Sequence, residues 1–465
     1  MTMVWSPDYL GSPGKVVLSN PLTCTNTPKG ENKLYSDAKG VVPSLDLRFA
    51  EGKNLNDYMT GQQLIQFSRS SIGTYVDENG IIQTATADTP RFDHDPTTGE
   101  SLGLLVEESR TNNLKTSNDF SGWLLSNVTN NVSTQLSPDG SFNAAEFETT
   151  GNSTTYPYNG KPGTQLPAGT YTFSVWTKFE ISFSVLIYGS NLGALLLFDV
   201  ATKQPSTATI QQGASSFVGT VEEYPNGWYR LSATIIVNSG SLVSEATVAL
   251  NKNKVTTYGL PDASGVGDVL TIWGAQLEEG SFPTSYIPTT GTALTRSADD
   301  ASITGSNFNS IYNTNASTIF FRGNVTAGPA GAYAVASIQK QGAGRQNSVV
   351  LSRRDSAGSR FNHYESTPPG IYNSDIDING PSWIDNSYIS IVAAIGPVSA
   401  AFADSGSLVG TDTSYQVPSS ADGLDILRLG AGEGGGLNSY NCHISRLTYF
   451  PERLPDSSLQ TMTTP

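Results

Sequence analysis

The chain has 465 residues, 41 acidic and 26 basic, for a formal net charge of -15. A surface of that sign repels nucleic-acid backbones and anionic lipid, which excludes both as general partners. Charged residues are only 14% of the chain, against about 25% in an average soluble domain; Gly, Ser, Thr and Asn fill the difference between aromatic and β-branched runs, a balance that favours many short strands.

The length fits two or three domains. No run approaches the ~20 apolar residues of a membrane helix, so no membrane insertion is expected. The start, MTMVWSPDYL, lacks the basic-then-apolar pattern of a secretory signal. Cys24 and Cys442 stand at opposite ends and read as reduced thiols, leaving core packing and oligomerisation to stabilise the fold.

Residues 1–40 are rich in Pro, Gly, Asn and Ser without hydrophobic periodicity. They read as an extended arm that orders on a partner or on the next domain, with Trp5 and Tyr9 as anchors. Residues 41–113 form a small β-rich section. Leu45, Leu47 and Phe49 alternate with Asp46 and Arg48, and TYVDENGIIQTA predicts a hairpin whose Asn79-Gly80 supplies positive φ angles.

Residues 114–296 read as one larger all-β unit. YTFSVWTKF, WYRLSATIIV and VLTIWGAQLEEG carry apolar groups on both faces, as in a jelly-roll sandwich. SFPTSYIPTTG is expected to run over the surface as a linker. A second sandwich spans 297–465, with STIFFRGNV, YAVASIQ, NSVVLSRR, YISIVAAIG and AAFAD as strands and GAGEGGGLNSYN as a flexible loop. LPDSSLQTMTT ends the chain as a short helix capped by Asp456 or Ser457. No heptad repeat is present, so any oligomer must form through the β modules.

Chemistry-bearing patterns are sparse. His94, His363 and His443 make no HExxH spacing, and neither a GxSxG elbow nor a P-loop occurs. SDIDING offers Asp375 and Asp377 but lacks the third acid of an alternating catalytic run. The expectation is therefore a chain that is not an enzyme. Asp93-His94-Asp95, followed by Pro96 and Gly99, reads as a turn held by side-chain-to-backbone bonds. The glutamate pairs at 107–108, 222–223 and 278–279 point to opposite faces and cannot share a site, although one of the first pair can reach Arg110. No cofactor is implied; a structural Ca²⁺ held by Asp262 and Asp268 in DASGVGD is the one metal candidate. Sugar recognition needs a flat aromatic face beside hydrogen-bonding groups. Trp176, Trp228 and Trp273 sit in strand patterns and read as core. Tyr156, Tyr158, His363, Tyr364, Tyr372 and Trp383 lie in polar, loop-like stretches and are the candidate ligand contacts.

FSRSSIGTYVDENGIIQTATADTPRFDHDPTTGESLGLLVEESRTNNL (67–114) resembles a recurrent segment of tailed-phage virion structural proteins. SNDFSGW (117–123), NGWYRL (226–231) and IWGAQLEEGSFPTSYIPTTG (272–291) resemble the carbohydrate-binding-module-like jelly roll that follows it there. ASITGSNFNSIYN (301–313) and HISRLTYFPERLPDSSLQTMT (443–463) look like the two ends of a concanavalin A-like lectin module. The resemblance implies a virion protein on the tail or capsid surface, bound to other virion proteins through an arm bearing Trp5 and Tyr9. It also implies a homo-oligomer, as a trimer. The expected role is a tail fibre or adhesion protein that contacts host-surface glycan without cleaving it. A capsid decoration, head fibre or tail adaptor with purely protein contacts is the alternative, and a glycan depolymerase the third reading.

Overall fold

A computed structural model describes residues 31–464 except 122–127, 151–164, 255, 258–265, 326–331, 343–347, 355–357, 367–371, 380–386, 416–422 and 431–440. The fold is all-β, as expected, and is built from two antiparallel sandwiches. Among the described residues no helix is long and apolar enough to cross a membrane.

The jelly roll packs a six-stranded sheet on a four-stranded one. The larger sheet runs Ala214–Glu223, Tyr229–Val237, Gly169–Thr177, Val269–Glu279, Ala145–Thr149, Val128–Val132. The smaller runs Gln204–Gln212, Leu192–Asp199, Phe183–Gly189, Glu245–Leu250. Alternation along Gly169–Thr177 sends Tyr171, Phe173 and Val175 into the core between the sheets, with Phe183, Leu196, Ile235 and Leu277. On the opposite face Thr172, Ser174, Gln276 and Glu278 are also fully buried.

Those buried polar groups explain why SFPTSYIPTTG is not a surface linker. It straps the outer face of the larger sheet and satisfies it. Glu278 accepts the Thr284 amide at 3.0 Å, Gln276 Oε1 accepts the Ile287 amide at 2.6 Å, and Thr172 Oγ1 donates to the Gly280 carbonyl at 2.9 Å. Beside the strap Trp176, Trp228 and Trp273 pack with Tyr224, Tyr286, Val76 and Ile82, so all three tryptophans are core. Their indole NH groups find partners where geometry allows: Trp228 donates to the Leu136 carbonyl at 2.8 Å and Trp273 to Asn143 Oδ1 at 2.7 Å.

The second sandwich has an eight-stranded sheet containing Ser317–Val325, Ser387–Gly396 and Cys442–Phe450, and a seven-stranded sheet containing Ala332–Gln339, Ser348–Arg354 and Ile426–Leu429. Ile319, Phe321 and Ile391 of the first meet Val335, Leu351 and Leu427 of the second. Ser399–Asp404, Ser407–Asp412, Leu45–Leu47, Arg91–His94 and Ser101–Val106 complete the eight-stranded sheet, and Gln66–Ser68 extends the other. The chain thus begins the second sandwich, leaves it for the jelly roll and returns. The exit and re-entry strands, Arg110–Asn112 and Leu294–Arg296, pair antiparallel with Thr111 opposite Thr295 and form a neck.

Beside the neck lies a buried ionic cluster. Asp299 binds Arg69 at 3.0 Å and Arg91 at 2.5 Å, Arg91 binds Glu107 at 2.7 Å, and Arg296 lies 3.4 Å from Glu107, all five side chains being almost wholly buried. Glu107 also accepts the amide and hydroxyl of Ser285. Its neighbour Glu108, in the short link between the strands Ser101–Val106 and Arg110–Asn112, turns the other way and receives Arg110 Nε at 2.6 Å.

Three local expectations are corrected. Residues 31–37, assigned to the extended arm, are helical; Leu34 and Ala38 pack with Leu459 and Met462 of the helix Asp456–Thr463 against the outer face of the eight-stranded sheet. Of the Asn79-Gly80 pair only Gly80 has positive φ. The turn is five residues long, and Asp77 Oδ1 holds it by accepting the amides of Asn79 and Ile81 at 2.9 and 3.0 Å. The C-terminal helix has no side-chain cap: Asp456 is drawn to Arg453 at 2.7 Å, and Pro455 precedes the first turn.

Candidate functional site

At one end of the jelly roll, three connections converge on a concavity of about 400 Å³, a size typical of small-ligand sites. The turn after Gly169–Thr177 buries Phe179, Ile181 and Ser182, the last two in the wall of the concavity, and leaves Glu180 exposed at the rim. Phe179 has a φ of 48°, which lets the chain reverse sharply before the next strand. Val200 follows Leu192–Asp199, Lys252 and Lys254 follow Glu245–Leu250, and Gly267 and Asp268 precede Val269–Glu279.

The rim is organised by hydrogen bonds. Glu180 accepts the Thr271 amide at 2.7 Å and its hydroxyl at 2.9 Å. Ser182 Oγ accepts the Val200 amide at 3.0 Å, and Asn251 donates its amide to the Ser182 carbonyl at 2.8 Å. Lys252 meets Asp268 at 2.7 Å and Lys254 meets Asp199 at 2.7 Å. The hydrogen bonds from Lys254 and the Ala201 amide hold the Asp199 carboxyl below its usual range. Asp268 Oδ2 is buried with no hydrogen-bond partner, while its Oδ1 holds Lys252. Ile181, Val200 and Val269 give the pocket an apolar floor, so a ligand meets a hydrophobic base and a ring of ammonium, carboxylate and hydroxyl groups.

This end of the jelly roll holds one residue named from sequence, Asp268. Its carboxylate faces a lysine where a cation would sit, and Asp262 lies outside the described residues. Among the described residues no three His, Cys, Asp or Glu side chains are grouped to hold a metal ion. Trp5, Tyr9, Tyr156, Tyr158 and Trp383 also lie outside the described residues. His363 and Tyr364 belong to the strand Gly358–Ser366 and Tyr372 opens the strand Tyr372–Asn379, so they stand in a paired hairpin, with Ser366 opposite Tyr372, and not in a loop.

Sequence reading missed Glu180, Ser182, Lys252 and Lys254. Their signal was present in the short polar turns KFE and NKNK between apolar strands, but only the sandwich topology brings those turns to one end. A second arrangement was also missed. Asp93 and His94 are strand residues, and His443, 350 positions away, binds Asp93 Oδ2 at 2.7 Å. Asp95 alone behaves as the expected turn residue, its Oδ1 accepting the amides of Thr97 and Thr98 at 2.9 and 2.8 Å.

No protein-family model matches the chain, and no curated protein matches it. Solved structures do. The CBM40 module of the Ruminococcus gnavus IT-sialidase, bound to α2,3-sialyllactose, is 16% identical over 34% of this chain and 88% of that one, with a TM-score of 0.30. The NanB sialidase of Streptococcus pneumoniae is 18% identical over 34% of this chain and 26% of its own, with a TM-score of 0.29. The Trypanosoma rangeli sialidase is 13% identical over 58% and 48%, with a TM-score of 0.26. The expectation that the chain is not an enzyme is corrected by these matches, since whole sialidases stand among them and the lack of a familiar motif does not set the chain apart from enzymes. At such identities and TM-scores, neither ligand nor reaction transfers to this chain.

Proposed function

We propose that the chain is a structural component of a tailed-phage virion that engages host-surface glycan through the loop-end pocket of its jelly roll. The virion reading rests on the long strings in order along 67–463. The glycan reading rests on the pocket itself. An apolar floor ringed by Lys252, Lys254, Glu180, Asp268 and Ser182 matches a polyhydroxylated ring, whose faces are apolar and whose edge donates and accepts hydrogen bonds.

The test is binding of the purified chain to arrayed bacterial glycans and to host cells, beside gold labelling of the chain on intact particles. Binding that weakens tenfold or more in Asp268→Ala and Lys252→Ala, with label on the particle surface, supports the proposal. Labelled particles with no glycan bound would replace adhesion by a purely protein-contacting decoration or adaptor, and unlabelled particles would remove the virion reading. Shortening of a bound polysaccharide would assign turnover.

A further inference from the structure

The hairpin Gln204–Glu223 is exposed to a degree its position does not require. Gln204–Gln212 is an edge of the four-stranded sheet and Ala214–Glu223 an edge of the six-stranded one. A sandwich strand ordinarily buries every second side chain. Here Ser206, Thr207 and Ala208 are exposed in succession, as are Ile210, Gln211 and Gln212, and Phe217 is the one fully buried residue of the two strands. Apolar groups are among those left in water: Val218 is 57% exposed, Ile236 of the adjoining strand 43% and Ile210 37%. Val218 lies opposite Thr234 and Ser216 opposite Ile236, so Val218 and Ile236 are diagonal neighbours on one face.

Proteins protect free edges with charge, above all with lysine. From Gln204 to Val221 this hairpin has no ionisable side chain, in a chain of net charge -15. Copies of so acidic a protein repel each other across most of their surface, and contact is least opposed where charge is missing. Ser216–Glu223 also keeps unbroken register with its neighbour and, among the described residues, has no strand paired to its other side.

We propose that Ala214–Glu223 is an interface with a second copy of this chain, formed by antiparallel pairing of the two edge strands about a two-fold axis. Such contacts are isologous, with residue i meeting j and j meeting i. Centring the pair on Val218, which then faces its own copy, sets Glu222 opposite Ala214 and leaves Glu223 beyond it, so the acidic ends stay apart. Parallel pairing would stack like charges and is disfavoured. The inference stands apart from the glycan reading and is tested without a ligand.

Sedimentation velocity of the full chain from about 1 to 100 μM, a range set by ordinary dimer affinities, is the experiment. The wild type is expected to reach a two-chain mass, more readily at high salt because screening relieves repulsion. Val218→Lys and Ile236→Lys, both at exposed positions, are expected to weaken association at least tenfold with melting temperature unchanged. A single-chain mass throughout, or assembly indifferent to both substitutions, overturns the interface; a three-chain mass overturns the two-fold pairing.

Discussion

The two sandwiches reach the same architecture by opposite chain paths. The jelly roll draws its core from one uninterrupted stretch, Leu114 to Leu277. The second sandwich draws its core from Leu45–Val106 and from Ala301 onward, with the whole jelly roll between. Closing a loop of that length costs little extra entropy once the insert is folded, because each doubling adds only about 0.6 kcal/mol, and the neck already holds the two ends side by side. The insert's sandwich core is thus continuous in the chain, with only its tryptophan cluster completed from outside by Val76 and Ile82, whereas its host depends on the neck and on the ionic cluster beside it.

Three perturbations break or sharpen that contrast. The largest effect is expected from Asp299→Ala. It leaves Arg69, Arg91 and Arg296 buried with Glu107 as the remaining acid of the cluster, and breaking such a network costs roughly 3–5 kcal/mol. Hydrogen exchange should show protection lost in Ser317–Val325 and Cys442–Phe450 while Gly169–Thr177 keeps it; equal loss in both would mean the two sandwiches unfold as one unit.

Acid should act next. Burial alone would raise the Glu107 carboxyl, but Arg296, Arg91 and Ser285 hold it well below the usual carboxylate range. Asp46 shows the same balance, with burial opposed by Arg446 and Arg48. A carboxyl depressed by folding stabilises the native state fully above its unfolded pKa, near 4, and that contribution is lost as pH falls below it toward the folded value. Melting followed between about pH 6 and 3 should therefore show the second sandwich weakening first. The depressed carboxyls of the jelly roll, Asp119 and Asp199, lie near the surface and contribute little. A jelly roll that fails earlier would reverse the assignment.

The smallest effect belongs to the hairpin between the modules. Asp77→Ala removes the acceptor for two turn amides and should lower stability by about 1 kcal/mol, read as faster exchange in Gly73–Ala85. The tryptophan cluster it covers should stay protected, because Val76 and Ile82 still pack there.

Much of this was legible beforehand. The period-two pattern of YTFSVWTKF, the burial of Trp176, Trp228 and Trp273, the divergence of Glu107 from Glu108 and the turn at Asp95 all depend on residues a few positions apart. The pocket was not legible, because Glu180, Val200 and Lys252 approach only when three separate connections meet at one end of the sandwich. Nor was the pairing of Asp93 with His443, or the strap 280–287, whose prolines resemble those of a linker until Glu278 and Gln276 are seen to need its amides.

By itself the sequence determined the class of the fold and the inward face of many strands, since alternation and turn chemistry act over a handful of bonds. Only tertiary structure decided that the jelly roll is inserted in the other sandwich, which charges are buried together and which turns share a rim. Those outcomes depend on side chains hundreds of residues apart satisfying one another away from water, and no local pattern encodes such a partner.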